Sequence, residues 1–143
     1  MKEEEVEKRG LSRNALLQKE ELEKVKVDLG KGEFVYVRQM TGRERDLFER
    51  SLYVFDKDNK ITTRLADFRA KLAVVTVCDE EGKAVFFPED YELLSKNMSA
   101  AKLEKIVNAA QKLNAITEKD KEGLLKNLEA VPDGSSSSGS VEK

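Results

Sequence analysis

The side chains able to do chemistry here are few: one thiol, Cys78, the acidic clusters Asp79-Glu80-Glu81 and Glu89-Asp90, the oxygen donors Asp56, Asp58 and Asn59, and the loop Gly30-Lys31-Gly32. A nucleophilic thiol needs a base or a cation that favours its thiolate. The chain has no histidine, and Cys78 closes the apolar run Leu72-Ala73-Val74-Val75-Thr76-Val77, so it reads as a buried, reduced thiol that packs as a small hydrophobe. Paired carboxylates do acid–base work when one lies in an apolar pocket and the other does not. Both acidic clusters stand in turn or helix-start sequence, where acids are favoured locally. A calcium loop starting at Asp56 would need glycine at its sixth position and glutamate at its twelfth; Ile61 and Asp67 stand there. Gly30-Lys31-Gly32 lacks the longer glycine frame of a phosphate loop and leads into strand sequence, not a helix. The residues assign no catalytic, cofactor-binding or metal-binding position, and they leave any partner-binding surface open.

The elements that would hold these positions follow from periodicity. Residues 1–10 read as a flexible start. Ser12 is placed to cap a short helix with Leu16 and Leu17 facing inward. Val25-Lys26-Val27-Asp28-Leu29 and Phe34-Val35-Tyr36-Val37 alternate as strands around a glycine-bearing turn, which predicts a β-hairpin. Thr41 and Glu44 form a capping box, opening a helix with Leu47, Phe48, Leu52 and Phe55 on one stripe. After the polar loop 56–60, Ile61, Leu65, Phe68, Leu72 and Val75 recur at helical spacing, predicting a second helix to about residue 76. Asp79 to Lys83 make a turn, and residues 84–87 read as an edge strand or a buried connector. Pro88 opens a short helix through Leu93 and Leu94. Ser99 caps a longer one with Leu103, Ile106, Val107, Ala110 and Leu113 on one face. Thr117-Glu118-Lys119-Asp120 is a further capping box ahead of Leu124, Leu125 and Leu128.

The fold class expected is therefore mainly α (α+β): amphipathic helices, a small N-terminal β-hairpin, one domain over residues 11–130 and a disordered Ser/Gly-rich tail over 131–143. Leu65, Phe68, Leu72, Leu103, Ile106 and Val107 are the expected core. The length, 143 residues, suits one domain with a core that needs neither metal nor disulfide. Deleting residues 133–143 is expected to leave thermal unfolding unchanged, since this tail carries no apolar periodicity to offset the entropy of ordering it; a lower melting temperature in the truncated chain would contradict that.

Charge narrows the partners. The chain has 26 basic and 28 acidic residues, a net charge of −2, and basic runs are interleaved with acids, as in Arg43-Glu44-Arg45-Asp46. Nucleic acid and anionic membranes attract a basic excess or a concentrated basic face, so neither is an expected partner. No signal-peptide core and no membrane-length apolar run are present, which places the chain in the cytoplasm. Other proteins are the partner class that remains.

The order of these features resembles one family. Leu11-Ser12 through Val25-Lys26-Val27, the hairpin ending Phe34-Val35-Tyr36-Val37-Arg38, and Thr41-Gly42-Arg43-Glu44-Arg45-Asp46 look like the front half of tail assembly chaperones of long-tailed (siphovirus-type) phages and prophages. Lys71-Leu72-Ala73-Val74-Val75, Cys78-Asp79-Glu80-Glu81-Gly82-Lys83, Phe86-Phe87-Pro88-Glu89-Asp90 and Leu93-Leu94 resemble the family's middle, followed by the helix from Ser99 and the Thr117-Glu118-Lys119-Asp120 turn. The likeness runs from residue 11 to about 129; the chain departs from it in the hairpin, where an aromatic and a proline common in the family are replaced by Gly30-Lys31-Gly32. The resemblance implies a chaperone without catalysis or cofactor, working in the host bacterium's cytoplasm and absent from the mature virion. It implies that the chain binds the tape-measure protein, keeps it soluble and helps recruit tail-tube protein, with self-association a further possibility. It also implies a minority product extended by frameshifting near the gene's end. Two rival readings fit the same residues: a structural tail or head-completion component retained in the virion, and a bacterial adaptor protein.

Overall fold

The computed structural model describes residues 7–55, 57, 58, 61–63, 67–120, 122 and 123, with the backbone alone at 54 and 61–63. The fold is α+β. The expected hairpin is present as β1 (Lys24–Gly30) and β2 (Glu33–Arg38), antiparallel with Val25 opposite Val37 and Val27 opposite Val35. Lys31 and Gly32 both have positive φ, 56° and 77°, the backbone of a two-residue turn whose twist matches the strands it joins. Glycine serves that position because a side chain there is strained. Asp28 accepts a hydrogen bond from the Gly30 amide at 2.8 Å, where the ladder's register shifts between Asp28 and Gly30.

Helix starts follow the capping residues. Ser12 Oγ accepts from the Ala15 amide at the head of α1 (Arg13–Leu17). Thr41 and Glu44 form the reciprocal box at α2 (Gly42–Arg50), at 3.0 and 3.1 Å. Ser99 caps α5 (Ala100–Leu113) through the Lys102 amide, and Thr117 and Asp120 repeat the reciprocal pattern. Pro88–Asp90 form a 3-10 turn leading into α4 (Tyr91–Asn97).

Three expectations are corrected. Leu16 and Leu17 do not face inward; both are exposed, because a five-residue helix with no buried residue has no face packed on anything. The helix expected to reach Phe55 stops at Arg50. Tyr53–Phe55 is instead strand β3, paired antiparallel with Ile61–Thr63 as β4, so neither Phe55 nor Ile61 lies on a helical stripe, and Phe55 is 65% exposed. The physical cause is local. Ser51 closes α2, its hydroxyl donating to the Phe48 carbonyl at 2.6 Å, and Lys71 Nζ donates to the Ser51 carbonyl at 2.6 Å, so side chains hold the turn that ends the helix. Beyond it, aromatic and β-branched residues on both sides of a polar loop favour strand pairing. The second helix correspondingly starts late, as α3 (Phe68–Thr76).

The end of α3 agrees with the expectation of helix to about residue 76. The next two residues, Val77–Cys78, are strand β5, which pairs with β2 and completes a three-stranded sheet in the order β1-β2-β5. Residues 84–87 act as a connector touching the sheet only through a bridge between Cys78 and Ala84. One face of the sheet supplies Val27, Val37 and Val77 to the core; α3 supplies Phe68, Leu72 and Ala73; α5 supplies Leu103, Ile106, Val107 and Ala110; Phe48 and Leu52 close it from the α2 side. Five of the six expected core residues are buried there, and Leu65 lies outside the described residues. So do residues 1–6, the leucines at 124, 125 and 128, and the tail over 131–143. Asn114, at the end of α5, ties that helix to the β2–α2 corner: its Oδ1 accepts from the Met40 amide at 2.6 Å, and its carbonyl accepts from Arg45 Nη1 at 3.0 Å.

Candidate functional site

The residues with chemical potential are occupied by local structure. Cys78 is buried and free of any disulfide, and burial pushes its thiol pKa up, outweighing the opposing pull of Arg38, so the thiolate is disfavoured. Asp79 is spent on its own turn, its Oδ1 accepting from the Glu81 and Lys83 amides at 2.9 Å. Asp90 Oδ2 accepts from the Phe87 amide at 2.8 Å and fixes the entry to the 3-10 turn. Gly30-Lys31-Gly32 is the hairpin turn. Asp56 and Asn59 lie outside the described residues. Among the described residues no group of three or more Asp, Glu or Cys side chains is gathered as a metal site, and no helix is long and apolar enough to cross a membrane.

What the fold does gather is apolar surface. The connector from Ala84 leaves Val85 more than half exposed and Phe87 70% exposed, and α4 leaves Leu93 63% exposed. On one side of this lip, against α2 and α3, runs a groove of about 710 Å³ whose walls include Leu47, Val74, Val75, Phe86 and Tyr91. On the other side, between α4 and α5, a groove of about 630 Å³ is lined by Phe86, Leu93, Leu94 and Met98. Phe86 borders both, so the two depressions share one wall. Leu47, on α2, adds an exposed side chain to the first groove's outer wall.

The first groove also reaches an ion pair. Arg38, whose side chain is only 9% exposed, meets Glu44 through two parallel hydrogen bonds of 2.9 and 2.8 Å. Those bonds hold the Glu44 carboxyl below the ordinary carboxylate range, against the upward push of its partial burial. Lys71 is turned inward, its Nζ 5.0 Å from the Tyr91 ring centroid as well as bonded to Ser51. The groove's cations are thereby satisfied within the chain, and its walls present mostly carbon.

Sequence reasoning did not find this surface. Residues 84–87 read as strand or buried connector, and Leu93 and Leu94 read alike. A signal was present in Ala84-Val85-Phe86-Phe87: four apolar residues in an extended run point alternately to two sides, so a connector with one side on the core leaves Val85 and Phe87 outside. Compared with known proteins, the chain matches no family model, no curated protein and no solved structure.

Proposed function

We propose that this chain is a non-enzymatic tail assembly chaperone of a long-tailed phage or prophage, which binds the tape-measure protein, keeps it soluble and assists tail-tube assembly in the cytoplasm of the host bacterium. The observation that carries the reading is the apolar lip with its paired grooves. Large exposed side chains such as Phe87 and Leu93, carried by the segment that borders two apolar grooves, are the mark of a surface that meets another protein. A groove between helices is suited to an amphipathic helix laid along it. A tape-measure client is long and helical with apolar stripes that associate unless covered, and the chain's charged remainder would keep the pair in solution. The family resemblance supports the same reading through the order of the elements around this lip.

Co-expression tests it. The tape-measure protein encoded beside this chain is expected to move from the pellet to the soluble fraction and to co-elute with the chain. Phe87→Asp with Leu93→Asp should keep the helical circular dichroism, since exposed substitutions typically shift stability by only about 0.5 kcal/mol, and should lose the soluble complex. A client that stays in the pellet with or without the chain overturns the chaperone reading. Recovery of the chain from purified virions would favour a structural component instead.

A further inference from the structure

The lip lies in an acidic stretch of the chain. Residues 79–94 carry six carboxylates and one lysine, a charge of −5 in a chain whose total is −2, so the rest of the protein is net positive. Glu80, Glu81, Glu89 and Glu92 are exposed, and among the described residues no ion pair engages them. Glu89 stands on the wall of the larger groove and Asp90 on that of the smaller. The cations nearest the grooves are engaged elsewhere: Arg38 with Glu44, Lys71 with Ser51 and Tyr91, and Lys102 with Glu33 at 3.4 Å. The helix α2, which walls the first groove through Glu44, Leu47 and Phe48, carries both signs at its exposed positions Arg43, Asp46 and Arg50. One apolar surface is thus flanked by carboxylates on one side, and among the described residues each cation that lines its two grooves has a partner within the chain.

Resting on the chaperone reading above, we propose that the lip and its grooves receive an amphipathic helix of the client whose apolar face is bordered by lysine or arginine on the side that meets residues 89–92. Apolar side chains on that helix fill the grooves beside Phe86, and its basic border faces Glu89, Asp90 and Glu92. Charge complementarity of this kind sets partner choice and the rate of encounter more than total affinity, and it discriminates against self-association through a second acidic lip.

Three 18-residue helical peptides with one leucine face, bordered by Lys, Gln or Glu, provide the probe, titrated against the full chain by fluorescence anisotropy. The Lys-bordered peptide should bind about tenfold more tightly than the Gln-bordered one at low salt, with the Glu-bordered one weakest. Raising salt to about 0.5 M should shrink the spread, since exposed charges are then screened within a few ångströms. The variant Glu89→Lys/Glu92→Lys should reverse the order, while Glu7→Lys/Glu23→Lys, with the same change in net charge, should not. Equal binding of the three peptides, binding of none, or a control variant that moves the preference as far as the lip variant overturns the inference. A tape-measure client that binds the lip variant as tightly as the wild type also overturns it, and leaves the chaperone reading standing. Peptides that sort by charge beside a client that never binds do the reverse.

Discussion

Phe68→Ala is expected to lower stability by about 3–4 kcal/mol, within the roughly 3–5 kcal/mol range for truncating a buried phenylalanine, and the melting temperature by about 10–20 °C. Phe68 opens α3 and is 6% exposed. Its ring meets Phe48 of α2 edge to face, with centroids 5.5 Å apart, so truncation removes both burial and an aromatic pair that adds roughly 1 kcal/mol beyond its area. It also unpins α3 from α2 at the place where the chain returns from the β3–β4 hairpin. One border of the ring opens on a depression of about 400 Å³ shared with Ile116 and Arg45, which allows partial collapse and places the cost below the top of the usual range. Against a total stability of roughly 5–15 kcal/mol this is a large fraction. Urea unfolding of wild type and variant measures it. An unchanged midpoint would show that Phe68 lies on a surface and that α3 is not anchored as described; Phe68→Leu, which keeps most of the buried volume, should recover more than half of the loss.

Whatever is decided within a few residues was legible in the amino-acid sequence. Ser12, Thr41 with Glu44, Ser99, and Thr117 with Asp120 each cap as their spacing predicts, because a cap is satisfied by amides two or three residues away. The α5 stripe of Leu103, Ile106, Val107 and Ala110 was equally plain, since fourteen residues hold one period long enough to be unambiguous. Where a segment is short, period alone misleads. Leu52 and Phe55 are three apart, as on a helix, yet the first is buried beyond the end of α2 and the second stands exposed on β3. The pairing of Tyr53 with Thr63 and of Val37 with Val77 depends on partners ten and forty residues away, information no local window contains. The candidate surface was hidden for a related reason. Phe86, Phe87, Leu93 and Leu94 are chemically alike, and only the packing of α3, α4 and α5 decides that Phe87 and Leu93 remain outside.

Glu44→Ala is expected to cost about 2–4 kcal/mol, more than its partly exposed side chain would suggest, because it strands the charge of Arg38. Arg38 is the more deeply buried member, its Nη atoms hold Glu44 and the Gln39 carbonyl, and its Nε–H has no acceptor. With the carboxylate gone, a largely buried guanidinium keeps only one hydrogen bond within the chain, and an unpaired buried charge is costlier than a missing pair. Glu44→Ala also removes the acceptor for the Thr41 amide at the head of α2. Glu44→Gln separates the two roles, since the amide oxygen can still cap while the charge is lost, and it should fall between wild type and alanine. Arg38→Met should cost less than Glu44→Ala, because it replaces the buried charge with apolar volume and leaves Glu44 near enough to solvent to be hydrated. The pH dependence has a definite sign. Hydrogen bonds from Arg38 lower the folded-state pKa of Glu44 below its ordinary value of 4.5, so its contribution is full above that value and is lost as pH falls through the lowered one. Wild type and Glu44→Gln, unfolded in urea at pH 7 and again near pH 3, should therefore differ more at the higher pH and converge at the lower. A difference that stays constant across that window would mean that the Arg38–Glu44 charge pair contributes nothing to stability, and that capping alone accounts for the loss.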